Sequence, residues 1–250
     1  MKLFGKEIPM MLSLLVWVVI WEIIGRTEAL FLIPPFSNVL LAMGDLFTST
    51  KFMAAVVLSL KSLVMGVSLA FAVGIPLGIL MGRIRAVEEL LSMWINVFVS
   101  APLTALVPIL MVLFGIGNTT VVVTVFLFAV WVTALDTFEG VKNINPSLLE
   151  MGRSFGVSRA ELYTRIILPA ALPEILCGVR LGLIRGVRGL VVGQLLVAIV
   201  GVGELFELYS RNFLMDRFWA LIIVVFLVAF GLAEVINYLE RRIEFYAMDR

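Results

Sequence analysis

The sequence predicts an all-α protein, a polytopic membrane helical bundle of about six transmembrane helices in a single domain spanning residues 1–250, and three observations predict it. Of the 250 residues 62% are hydrophobic and 15% charged, with net charge +1 and mean hydropathy +1.11. A soluble globular chain carries about half apolar and about a quarter charged residues. Six apolar runs approach the roughly 20 residues that a helix needs to cross about 30 Å of hydrocarbon. Between the fourth and fifth lies a polar island, Glu139 to Pro173, that carries helix caps and a glycine stop.

The runs are Met10–Ile24, Ser62–Gly82, Leu91–Leu113, Thr120–Phe138, Ala171–Val200 and Phe218–Tyr238. The first is short and needs flanking residues to complete it. Lys2 and Lys6 precede it, but no cleavage site follows, so it is read as a retained span rather than a signal peptide. Phe31-Leu32-Ile33-Pro34-Pro35 breaks the helix, and Ser37 is expected to cap an amphipathic piece, Val39 to Phe47, lying in the outer interface. Span 2 holds Gly66, Gly74, Gly78 and Gly82, which suit close approach of a neighbour, and Pro76, expected to kink it. Span 3 carries Pro102 and Pro108, and Gly115-Ile116-Gly117-Asn118 turns the chain into span 4. Trp94, Trp131 and Trp219 are read as interface anchors or packing. Gly201 to Asp216 is read as an outer surface loop.

Placing both termini in the cytoplasm puts Lys2, Lys6, Arg83, Arg85, Lys142, Arg153, Arg159, Arg165, Arg241, Arg242 and Arg250 inside, against Arg26, Lys51, Arg211 and Arg217 outside. The asymmetry sets this orientation and makes the island cytoplasmic.

Within the island, Asn145 before Pro146 is an N-cap with proline at the first helical position. Gly156 ends that helix as a left-handed residue. Ser158 and Glu161 form a capping box for a second helix, striped by Leu162, Ile166 and Ile167 and ending at Pro169. Ordering such a loop costs backbone entropy that packing must offset, so it is expected to dock on something.

Glu150-Met151-Gly152-Arg153-Ser154-Phe155-Gly156, then Ile167-Leu168-Pro169-Ala170-Ala171-Leu172-Pro173 and Gly178-Val179-Arg180-Leu181-Gly182-Leu183, resembles the EAA loop of bacterial ABC-importer permeases. Met151 and Gly152 stand where that family usually has two alanines. Val107-Pro108-Ile109-Leu110 and Leu113-Phe114-Gly115-Ile116-Gly117 resemble the nitrate, sulfonate and taurine branch, extending the match over about Leu32 to Arg242. The resemblance implies a type I ABC-importer permease fold in the bacterial inner membrane, two copies pairing as a homodimer, two ATPase subunits inside and an extracytoplasmic solute-binding protein outside. It implies an EAA coupling loop at about 139–170, with Glu150 in the docking helix, Gly156 as its elbow, Leu149 and Phe155 as apolar contacts and Ser158 starting the second arm.

No GxxxxGK[ST] occurs, so this chain holds no nucleotide site and no cofactor, and ATP and Mg belong to the partner ATPase. No histidine exists, and Cys177 is the sole cysteine. Metal and redox chemistry are therefore disfavoured, as are catalytic residues generally. No basic tract points to nucleic acid.

Span 5 carries Arg180, Arg185 and Arg188 among apolar residues. Burying a guanidinium there costs at least about 2.5 kcal/mol, so these residues must face the bundle or a wet cavity. Arg180 matches an arginine usual in the family, with a structural role. Arg185 and Arg188 do not, and Gln194 stands where the family often has glutamate. These three are the candidate pathway residues for a small anionic solute. The alternative is that the arginines pair with Glu22, Asp136 or Glu234. The expected function is therefore the permease subunit of an ATP-driven importer. A secondary anion transporter or channel, and a membrane-embedded enzyme, are the rivals.

Overall fold

The computed structural model describes residues 2–3, 6–7, 10–27 and 30–248. Apart from a two-residue antiparallel pairing of β1 (Lys2–Leu3) with β2 (Lys6–Glu7), the described residues form helices and their connections. Arg250, one of the cations used for orientation, lies outside the described residues.

Helix α1 (Met10–Arg26) has 17 residues, about 25 Å at 1.5 Å per residue, short of the hydrocarbon thickness as its sequence predicts. It is apolar up to Glu22 and Arg26 in its last turns, apart from Ser13, and presents Leu15, Trp17 and Ile23 outward. Helix α2 (Phe36–Thr48) follows, but Ser37 is not its cap. Pro35 occupies that position without a side-chain bond. The Ser37 amide and hydroxyl instead donate to the Glu22 carboxylate, both at 3.0 Å. The indole N–H groups of Trp21 and Trp219 donate to the carbonyls of Pro34 and Leu32, at 3.0 and 2.8 Å, pinning the proline turn.

Helix α3 (Thr50–Arg83) remains one helix through Pro76. The third predicted span is two helices, α4 (Arg85–Ser100) and α5 (Val107–Phe114), joined by a 3-10 turn at Leu103–Leu106 and bent by 95°. Proline explains the break. Pro102 has no N–H to continue the ladder and forces Ala101 extended, while Pro108 sits in the first turn of α5, where its missing N–H costs nothing. Gly115, at φ 82°, starts the turn into α6 (Asn118–Lys142).

Helix α6 is the centre, packed chiefly against α3 and α9 (Leu168–Val197). The span-2 glycines work as packing residues. A Cβ at Gly66 would fall within 2.6 Å of Val125, and one at Gly78 within 2.6 Å of Thr137. A second stripe runs along α9, where Gly178, Gly182, Gly186, Gly189 and Gly193 are all buried. Gly178, Gly182 and Gly189 meet Thr133, Asp136, Ala129 or Phe128 of α6, and Gly186 meets Val67 of α3. Close helix approach through small residues is what holds helices together in lipid, where no hydrophobic drive exists between them.

The Gly201–Asp216 stretch is not a plain loop. It contains helix α10 (Gly201–Arg211), whose buried Leu205 and Tyr209 join a cluster with α2 and with α11 (Met215–Met248). Four described helices are long and apolar enough to cross a membrane, and the bent α4/α5 pair would make a fifth. With short α1 the number is about six, as the sequence predicts.

Candidate functional site

The polar island folds as a tight hairpin. Helix α7 (Pro146–Ser154) starts where the Asn145 side chain accepts from the Ser147 amide at 3.0 Å. It ends in a Schellman arrangement: the Gly156 N–H donates to Arg153 O at 3.0 Å and the Val157 N–H to Gly152 O at 3.3 Å. Gly156 has φ 70°, the left-handed region that a side chain resists. Ser158 and Glu161 then close both bonds of the capping box that opens α8 (Arg159–Glu161). Those Ser158 bonds, with Arg165 nearby, hold the Glu161 carboxyl below its usual range in this turn outside the membrane.

The second arm does not end at Pro169. It passes through a π-helical turn, Leu162–Ile167, straight into α9, so that Arg159–Val197 is one continuous 39-residue helix. The Leu168 N–H reaches back to Tyr163 O, and the wider turn ahead of Pro169 leaves room for its ring.

One face of the hairpin is spent on the bundle. Leu149 and Leu162 pack on a cluster of Val141, Ile144, Ile167, Ala171 and Ile175. Gly152 is buried, and a Cβ added to it would press only on the flexible side-chain tips of Ile166 and Leu162, so a small residue suits this position at the cost of a slight shift of those tips. The other face is open. Phe155 is 81% exposed, Met151 50% and Leu148 39%, with Glu150, Gly156 and Ser158 also exposed. Of the two apolar residues singled out in the sequence, Phe155 faces out and Leu149 mainly inward. Leu148 and Met151 share the open face, and only the helical phase set by the bundle contacts distinguishes them.

The span-5 residues do not converge. The Arg185 Nη1 donates to Val99 O at 3.3 Å. That carbonyl is freed by the helix break, because its ordinary partner, the Leu103 N–H, turns to Ala101 O instead. Arg188 is exposed and lines an open groove of about 630 Å³ between α9, α10 and α11, with Glu207 and Ser210 the other polar residues among mostly apolar walls.

Gln194 is 3% exposed and does not border that groove. Its amide donates to Ser59 Oγ at 2.8 Å, and its Oε1 lies 3.0 Å from the same hydroxyl. Gly201 and Gly203 pack against it, so it fastens the α9–α10 junction to α3. Of the anticipated carboxylate partners, Glu22 binds Arg26 and Ser37, while Asp136 lies close enough to Arg185 for the two charges to interact. No group of three or more metal-ligating side chains occurs among the described residues.

Comparison with known proteins places this architecture. A family model described as binding-protein-dependent transport system inner membrane component matches residues 74–245. A Methanocaldococcus jannaschii protein named "Putative ABC transporter permease protein" is 30% identical over 253 residues, covering 96% of this chain and 92% of its own length. The taurine transport system permease protein TauC of Escherichia coli is 33% identical over 185 residues, 74% of this chain and 67% of that one. In fold the chain resembles the inward-facing MetNI methionine ABC transporter, with TM-score 0.66 at 22% identity over 79% of this chain and 96% of that one. The chain belongs to the family of inner-membrane components of binding-protein-dependent transport systems.

Proposed function

We propose that the chain is the pathway-forming subunit of an ATP-driven importer and that the α7–α8 hairpin is where a separate ATPase grips it. The observation that carries this is the division of the hairpin's apolar residues. Leu149 and Leu162 fix it to the bundle, while Leu148, Met151 and Phe155 face away from it. A rigid element with an exposed aromatic anchor is the form a protein-binding hot spot takes. The positive-inside asymmetry supports a cytoplasmic hairpin and cytoplasmic termini in the inner membrane. Residues 1–250 act as one permease domain that carries no catalytic group of its own. Two copies pair around the pathway, two ATPases supply ATP and Mg, and an extracytoplasmic binding protein delivers the solute.

Arg188 in the groove of α9, α10 and α11 favours a small solute with an anionic group, a sulfonate or carboxylate, since a guanidinium offers paired donors to such a group. The names of two relatives, a taurine permease and an aliphatic sulfonates permease, support that class. Arg185 and Gln194 serve the scaffold in this reading, one capping the broken span and the other locking a helix junction.

Cysteines at position 155 and along the ATPase cleft test the docking. Cross-linking at 155 that is lost when cysteine is moved to 149 is expected. Equal cross-linking from both positions, or none from either while ATP-driven uptake persists, overturns the assignment.

A further inference from the structure

The break between α4 and α5 lies deep in the membrane. Helix α4 leaves the surface at Arg85, Glu88 and Glu89, and from Leu90 to Ala101 it rises about 16 Å, half of the hydrocarbon thickness. Two neighbours agree on this depth. Phe98 stacks on Trp131, midway along α6, with ring centroids 4.4 Å apart, and Val99 O takes its bond from Arg185, midway along the apolar run Ala171–Val200. Here the chain is not helical: Ala101 is extended, Pro102 has no N–H to offer Phe98 O, and Ser100, Pro102, Thr104 and Ala105 are exposed. Irregular backbone at membrane depth is tolerated only where protein buries it or where it lines a water-filled cavity.

Arg185 favours water. One of its five N–H donors reaches Val99 O, and none of its nitrogens is enclosed without a partner. Asp136 is near enough to offset its charge but takes none of those donors. The remaining donors are open at mid-membrane, where a guanidinium needs a wet surrounding or an anion. Arg188 follows three residues on, about 60° round the helix. It stands on an exposed face that it shares, at seven-residue spacing, with Leu181 and Leu195, 37% and 46% exposed. We propose that the α4–α5 break is a wall of the water-filled solute pathway, continuous with that face of α9, and that Ser100, Thr104 and the open donors of Arg185 present polar groups to a passing anion. The inference rests on the pathway reading above.

The test is cysteine labelling of the assembled transporter in nanodiscs, in a Cys177→Ala background, with a membrane-impermeant methanethiosulfonate that carries a sulfonate. Ser100→Cys and Thr104→Cys are expected to react at least about tenfold faster than Val64→Cys, since only the thiolate reacts and hydrocarbon raises a thiol pKa by about one unit or more. Val64 is an apolar position of α3, 62% exposed. Rates at 100 and 104 no faster than at 64 overturn the proposal. So does a disulfide between two copies at either position in place of labelling, which would make the break a dry contact between subunits. Both exchanges replace an exposed hydroxyl side chain by one of similar size, and each position is read separately should the other variant fail to assemble. Arg188→Cys separates this inference from the reading beneath it. Labelling at 188 with 100 and 104 silent overturns the wet break and leaves the pathway reading standing. Labelling at 100 and 104 with 188 silent upholds the wet break and removes the Arg188 groove from the pathway. Silence at all three overturns both.

Discussion

The centre of the bundle and the hairpin that leaves it both depend on glycine, for opposite reasons. Around α6 the glycines of α3 and α9 make space: a Cβ at Gly66, Gly78, Gly182 or Gly186 would run into a neighbouring helix. At Gly156 nothing lies within 4 Å of an added Cβ, and only the backbone angle, φ 70°, calls for glycine. The core is therefore sensitive to volume and the hairpin to conformation. The hairpin keeps its shape through caps and turns, leaving Leu148, Met151 and Phe155 free to project.

The largest break in this contrast is Gly182→Val, whose first side-chain carbons would overlap Thr133, with the Phe71 ring and the Ala129 carbonyl close behind. It should destabilise the protein by about 3 kcal/mol or more, read as a fall in unfolding temperature in detergent. An unchanged midpoint would mean that α6 and α9 are not in close contact. Gln194→Leu should cost about 1 kcal/mol, since it removes the Gln194–Ser59 hydrogen bond while the Ser59 hydroxyl keeps the Ala55 carbonyl and the Val202 N–H as partners, and its effect should be less than additive with that of Ser59→Ala in a double-mutant cycle.

Gly156→Ala should cost only about 1 kcal/mol, the strain of a left-handed alanine. Gly156→Pro, unable to adopt positive φ, should abolish ATP-driven uptake with membrane insertion intact. Phe155→Ser should sit at the far end, within about 0.5 kcal/mol of the parent in stability. Its affinity for the ATPase, measured by titration in nanodiscs, should nonetheless fall at least about tenfold. A Phe155 variant that unfolds like the Gly182 variant would erase the distinction between the two regions.

Much of this was legible in the sequence where the signal is local. Asn145-Pro146, Gly156 and the Ser158–Glu161 box each act within a few residues, and each appears as read. The spans were legible from hydropathy, but hydropathy is blind to direction. It runs unbroken through Leu91–Leu113, where Pro102 turns the chain by 95°. Proline, too, misled: it suggested a stop at Pro169, where a π turn lets the helix continue.

Non-local features were the least visible. The glycine stripe of α9 repeats every three or four residues and was open to view, but Arg180, Arg185 and Arg188 drew the reading toward charge. Whether Arg185 meets a carbonyl or a solute depends on a break in another helix, 86 residues away. Gln194 faces Ser59 across 135 residues, a pairing no periodicity announces. The open phase of Leu148, Met151 and Phe155 likewise follows from what α7 rests upon.

The uninterrupted run from Arg159 to Val197 has a mechanical consequence. At 1.5 Å per residue its 39 residues make a shaft about 58 Å long, with the hairpin at one end and Arg188 well along toward the other. A joint made of flexible chain would absorb small displacements as play. A push on the hairpin, as the proposed docking would deliver it, reaches the far end as motion of the same rod, and the π turn at Leu162–Ile167 and Pro173 are the points at which it can yield.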